Sequence, residues 1–205
     1  DVYTSAGGTI NTYGADLAER YKSQVELFPG EVVTIDPQNN HGVKRSAYQY
    51  QPDVLGVVST DPGFISGAYT EDSYPIALVG RVPVKVSTEN GMIHTGDFIT
   101  AASIPGYAMQ ATVAGRVIGK ALESLDPNKL EDCPASTFQV PGRKCGTIMM
   151  FVNLIDYSGQ SVDTAMSDWK ALKEAQRLQI ATNSGNNSGE SSGLDFTNTT
   201  FATLA

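Results

Sequence analysis

The chain has 205 residues, 40% of them hydrophobic and 18% charged, enough to bury a sizeable core and too apolar for global disorder. With 14 Lys and Arg against 22 Asp and Glu, its formal charge is −8. A phosphate-binding surface needs clustered cations, and the densest cluster here is Lys44-Arg45, so nucleic acid is not an expected partner. No apolar run approaches the roughly 18–20 residues that span a bilayer, which excludes insertion by a helix.

Residues 1–28 open with strand-like sequence (Val2-Tyr3-Thr4) and a short charged stretch, Asp16-Leu-Ala-Glu-Arg20. A chain beginning at Asp1 inside such a run reads as a fragment or processed product. If the charged stretch is helical, Asp16 and Glu19 lie one turn apart on one face. Two close carboxylates can separate their pKa values and act as acid and base. The same Asp-x-x-Glu spacing also serves as a helix capping box, so the pair has a purely structural reading too.

Residues 29–157 read as strand after strand: Glu31–Ile35, Val43–Ala47, Val54–Ser59, Ile76–Val79, Val82–Ser87, Asp97–Ala101, Ala108–Ala111, Val117–Leu122 and Thr147–Ile155. Each is rich in β-branched or aromatic residues and bounded by turn formers. Asn90-Gly91 between two runs signals a hairpin, since both residues tolerate positive φ. Short strands without intervening amphipathic helices predict a mainly β fold, a compact barrel or sandwich.

The region also hints at an internal duplication. Gly30-Glu-Val-Val-Thr parallels Gly96-Asp-Phe-Ile-Thr, Gly42-Val-Lys-Arg parallels Gly106-Tyr-Ala-Met, and Val54-Leu-Gly56 parallels Val117-Ile-Gly119. A glycine inside a strand marks a bulge or a close backbone approach. His41 reads as a solvated turn residue, and His94 with Asp97 as a polar pair near a turn, with no nucleophile placed beside it.

Cys133 and Cys145 flank a Pro- and Gly-containing loop and are expected to form a disulfide, which implies an oxidising compartment; two free thiols are the alternative. No CxxC or His-x-His spacing accompanies them, and no metal or cofactor is expected. Nucleotide-binding glycine motifs and the serine-hydrolase elbow are missing as well. Tyr48, Tyr50, Tyr69 and Tyr74 fall in loop-like segments, where they could serve a surface glycan or simply pack.

Residues 161–181 predict one C-terminal amphipathic helix, with Ser161 as cap and Val162, Met166, Trp169 and Leu172 on one face, and Ile180 further along. That face needs a partner, either the β domain or another subunit. Residues 183–193 form a Ser/Asn/Gly linker, and residues 194–205 read as the start of a further segment.

Three stretches together, Gly14-Ala-Asp-Leu-Ala-Glu19, Pro29-Gly-Glu-Val-Val33 and Val54-Leu-Gly-Val-Val-Ser-Thr-Asp-Pro-Gly63, resemble the C-terminal autoprocessing domain of phage neck-appendage and tail-spike proteins, the peptidase G2 or intramolecular-chaperone type. Ala77-Leu-Val-Gly-Arg-Val-Pro-Val-Lys-Val86 and the run from Gly96 to Glu123 resemble related domains of large bacterial surface proteins, the branch that fits better. The resemblance covers residues 13–155 and implies a homotrimeric, extracellular, cell-surface or virion fibre whose assembly this domain assists. It also implies self-cleavage near the N-terminal end by an acidic pair, whose matching positions are Asp16 and Glu19. Leu17 departs from the aromatic residue of the phage members. A purely structural filament domain is the alternative reading.

Overall fold

The computed structural model describes residues 14–134, 142–159 and 162–185. The chain divides into two units, Asp1–Gln160 and Ser161–Ala205. The first is mainly β, as expected.

Its strands are β1 (Asp16–Lys22), β2 (Val32–Ile35), β3 (Val43–Arg45), β4 (Val54–Val58), β5 (Phe64–Ser66), β6 (Ser73–Ser87), β7 (Phe98–Ala101), β8 (Ala108–Gln110), β9 (Gly115–Ala121), β10 (Glu131–Asp132) and β11 (Lys144–Tyr157). Five of them close a ring. β6 pairs with β11, β11 with β9, β9 with β7, β7 with β8, and β8 returns to β6 through the parallel pair Val86–Ala108. Strand alternation turns Val82, Val84 and Val86 of β6 and Ile148, Met150 and Val152 of β11 into the ring, where they pack with Ile99, Ala108 and Ile118. Each such side chain contributes about 1.5–3 kcal/mol by leaving water.

The N-terminal half of β6 carries the rest of the sheet. β4 pairs with it, followed by β2 and β3, around a smaller core of Leu27, Val33, Val43, Val58 and Ile76. β1 runs antiparallel to β6, and β5 lies parallel to β1.

The expected duplication is visible in the hydrogen bonds. In both β2–β3–β4 and β7–β8–β9 the first strand lies between the other two. The turn before β2 is closed by Glu31 N–H to the Phe28 carbonyl (3.1 Å), and the Glu31 carboxylate accepts Phe28 N–H (3.0 Å). Before β7, Asp97 N–H donates to the His94 carbonyl (3.0 Å), and the Asp97 carboxylate accepts His94 N–H (2.7 Å). Gly30 and Gly96 take positive φ in these turns and donate to Val58 and Ala121 respectively.

The second glycine match is off by one residue. Strand register equates Arg45 with Gln110, because these face Val33 and Ile99. That places His41 (φ 57°) opposite Gly106 (φ 78°) in equivalent turns, rather than Gly42. A left-handed backbone position had been filled by histidine, one of the non-glycine residues that tolerate it.

Three expectations are corrected. Asn90-Gly91 does sit in a turn, with Gly91 N–H donating to the Thr88 carbonyl, but β6 and β7 do not pair, so there is no hairpin there. The runs Ile76–Val79 and Val82–Ser87 are one strand, since Gly80 (φ +114°) continues β6 instead of ending it. Asp16–Lys22 is a strand, not a helical turn.

The second unit contains helix α1 (Val162–Gly185), which extends into the segment read as linker. Trp169, Leu172 and Leu178 are exposed on it. The side chains of Val162, Met166 and Ile180 lie outside the described residues, as do residues 1–13 and 186–205, including the strand-like starts read at Val2 and Leu194.

Candidate acidic site at the entry to the first strand

Strand geometry separates the two carboxylates singled out in the sequence. Side chains alternate along β1, so Asp16 and Ala18 face inward, while Leu17 and Glu19 face the other side. A helical turn would have joined Asp16 to Glu19; the extended backbone places them on opposite faces. Glu19 instead accepts a hydrogen bond from the Tyr21 hydroxyl, two residues on and on its own face (2.7 Å). Burial, then the Glu19 contact, pushes the Tyr21 hydroxyl up to about 12.

Asp16 has a different neighbourhood. It is 6% exposed and stands opposite Gly80 of β6. Backbone bonds tie this point of the chain on two sides: Gly63 N–H donates to the Asp16 carbonyl (2.8 Å), and Arg81 N–H to the Ala15 carbonyl (3.0 Å). Two glycines make the approach feasible. A Cβ on Gly80 would stand 2.6 Å from the Asp16 Cα, and one on Gly14 would stand 2.3 Å from the Gly63 nitrogen and 2.5 Å from the Asp61 oxygen. The backbone entering β1 therefore lies directly against Asp61-Pro62-Gly63, the connection between β4 and β5.

The polar atoms here are incompletely paired. Asp16 Oδ2 and the Oγ of Ser59, itself 4% exposed, are both buried without a partner in hydrogen-bonding geometry. Burial raises the Asp16 carboxyl above its usual range; the nearby Ser59 hydroxyl opposes that shift, and the negative charge of Asp61 adds to it. A buried carboxyl that resists ionisation can hold a proton and deliver it, the property a general acid needs. Ser59 and Asp61 were not singled out in the sequence. Their one signal there was their place in the Val54–Gly63 stretch, which the fold now brings against the Gly14–Glu19 stretch.

Elsewhere the polar groups serve the fold. Glu31 is buried and accepts from Arg45 Nε (2.8 Å), with Lys85 Nζ at 3.4 Å; both cations also approach the Phe28 ring. Arg45 donates further to the Glu26 carbonyl. Asp97 accepts from Gln110 (2.8 Å) besides His94 N–H, whereas the His94 ring is exposed and 3.7 Å away. The Tyr50 hydroxyl accepts from the backbone of Thr112 and Val113, Tyr74 stands opposite Tyr21, and Tyr48 and Tyr69 are exposed, the latter beneath Arg20. The disulfide Cys133–Cys145 is present and fastens the chain after β10 to β11. Among the described residues no group of three potential ligands could hold a metal, and no helix is long and apolar enough to cross a membrane.

No family model and no curated protein matches the chain. Among solved structures it is similar to the C-terminal fragment of bacteriophage phi29 gene product 12, at 14% identity over 67% of this chain and 100% of that one, with a TM-score of 0.45. It is also similar to pre-mature bacteriophage phi29 gene product 12, at 14% identity over 70% of this chain and 22% of that one, with a TM-score of 0.46.

Proposed function

We propose that this chain is an assembly domain of an extracellular or virion-borne fibre, acting as a homotrimer, that can process its own polypeptide upstream of Asp16. The observation that carries the assembly reading is an exposed apolar row on the outer sheet. Leu17 is the register partner of both Phe64 on β5 and Val79 on β6, so the three side chains stand together, 42%, 57% and 41% exposed. Contiguous apolar surface of this kind is what self-association covers. The disulfide supports an oxidising setting. The processing clause rests on Asp16, a buried and incompletely paired carboxyl at the start of β1.

Light scattering tests assembly. The expected mass is three times the 21.8 kDa of one chain, and Leu17→Asp should return the protein to monomers. A strict monomer at high concentration overturns the reading. Electrophoresis of a longer polypeptide carrying the upstream sequence tests processing: two fragments are expected, and Asp16→Asn should leave one band. The exposed Tyr48 and Tyr69 rings support glycan binding as a second reading, and a glycan array without hits ends it.

A further inference from the structure

We infer that the partner of Asp16 is Asp61, held with Ser59 in the connection that follows β4, and that this pair, rather than Asp16 with Glu19, is the acid–base centre of the chain. The inference deepens the processing reading and rests on it for its chemistry; the pairing itself rests on the backbone contacts that bring the two residues together and on the charge of Asp61 beside a buried carboxyl.

Four observations carry it. Glu19 points away from Asp16 across the strand and is engaged by Tyr21. The Asp61–Gly63 backbone is pressed against Gly14 and hydrogen-bonded to Asp16, so the fold sets the two residues close together at the start of β1. Asp61 is exposed, open to water, and is the charged residue whose field reaches Asp16. Finally, Ser59 Oγ and Asp16 Oδ2 are each more than nine-tenths buried and lack a partner. Buried polar atoms are ordinarily satisfied, and here two incompletely satisfied ones lie beside each other at the start of β1.

The chemistry that fits is hydrolysis of a peptide bond in the chain leading to Asp16, with the entering backbone as substrate. Ionised Asp61 takes a proton from a water molecule as the water oxygen bonds to the carbonyl carbon. Protonated Asp16 gives its proton to the departing amide nitrogen as the C–N bond breaks. One water is consumed, and the products are a carboxyl group and an amine. The two acids then differ by one proton from their starting states, and exchange with solvent restores them. Ser59 acts as a positioning residue, its hydroxyl beside the Asp16 carboxyl. Attachment of the substrate to β1 itself supplies the proximity that a separate peptide would lack.

The test uses two independent readouts on one set of variants, Asp61→Asn, Ser59→Ala and Glu19→Gln, each first checked for native folding by circular dichroism. Carbon-detected NMR titration of the Asp16 carboxyl should move down in Asp61→Asn, where a negative neighbour is lost. It should move up in Ser59→Ala, where a favourable hydroxyl is lost, and stay in place in Glu19→Gln. The longer polypeptide should lose its second fragment in Asp61→Asn and retain it in Glu19→Gln. If Asp16 titrates identically in Asp61→Asn and wild type, or responds to Glu19→Gln instead, the pairing is overturned. Where Asp61→Asn does not fold, Asp61→Ser replaces it in both readouts, an unchanged fragment ratio and an unchanged Asp16 titration together refuting the pair. A wild-type polypeptide that stays intact removes the hydrolytic role and the processing reading with it, while the titration still decides whether the two carboxyls are coupled.

Discussion

Gly56 and Gly119 occupy equivalent places in two successive three-strand units. Gly56 faces Val33 across one strand pair and Gly119 faces Ile99 across the other. On the far side, a Cβ would stand 2.3 Å from the Ala77 carbonyl oxygen at Gly56 and 1.9 Å from the Phe151 carbonyl oxygen at Gly119. In both units the neighbouring strand therefore comes closer than any side chain permits.

Alanine at either position must push a backbone strand aside rather than a flexible side chain. Gly119→Ala should lower stability by on the order of 3 kcal/mol, with Gly56→Ala similar. Gly96→Ala is the contrast: nothing lies within 4 Å of its Cβ position, and only the positive φ opposes the substitution, so about 1 kcal/mol is expected. Urea denaturation of the three variants checks the ranking, and equal losses would contradict the close-approach account.

Glu31 joins the two halves of the sheet, since Arg45 belongs to β3 and Lys85 to β6. Both cations retain access to water, which limits the penalty when their partner is removed. Glu31→Ala should destabilise by roughly 2 kcal/mol, with the lost bond to Phe28 N–H contributing part of it. Glu31→Gln should fall between, and added salt should narrow its difference from wild type more than that of Glu31→Ala.

Asp16 gives stability a pH dependence of unusual sign for a carboxylate. Its folded pKa lies above the ordinary value of 3.8, so the folded chain holds that proton more tightly than the unfolded one. Stability from this group is fully present below the ordinary value and is lost as pH rises through the raised one. Asp16→Asn should therefore remove a decline in stability across that window and gain on wild type toward neutral pH. Denaturation midpoints of both proteins across the acid range measure this; parallel curves would count against it.

Tyr21 reports on Glu19 from the same face of the strand, the one opposite Asp16. Its hydroxyl should ionise near 12, followed by ultraviolet absorbance. In Glu19→Gln the titration should move down but stay above the ordinary value of 10.0, because burial is the larger cause. A return all the way to 10.0 would show that the Glu19 contact alone is responsible.

The Cys133–Cys145 bridge closes a short loop with a sequence separation of 12. Constraint of the unfolded chain should make the oxidised form more stable by roughly 3 kcal/mol. Thermal or chemical melts with and without reductant measure it, and thiol titration of the untreated protein should find no free cysteine among the two.

Much of the fold was written into local chemistry. β-branched runs bounded by Gly, Pro and Asn marked β2, β4, β7, β9 and β11, because period-two burial and positive-φ turns depend on a few adjacent residues. The match of Gly56 to Gly119 was legible for the same reason. The match of Gly42 to Gly106 was not, since the left-handed position is held by His41, and only strand register reveals the shift.

What the sequence alone determined is a glycine-punctuated β domain with two similar units and two cysteines suited to a bridge; what the tertiary structure decided is who stands next to whom. Asp16-Leu-Ala-Glu19 carries a helical spacing, yet β6 and β5 offer it two strand edges, and pairing with them extends the backbone. That single change of conformation puts Glu19 on the other face of the strand and leaves Asp16 buried beside Ser59, more than forty positions along the chain. Spacing along a chain predicts neighbours only where the backbone conformation is known, and β1 received its conformation from strands remote in sequence.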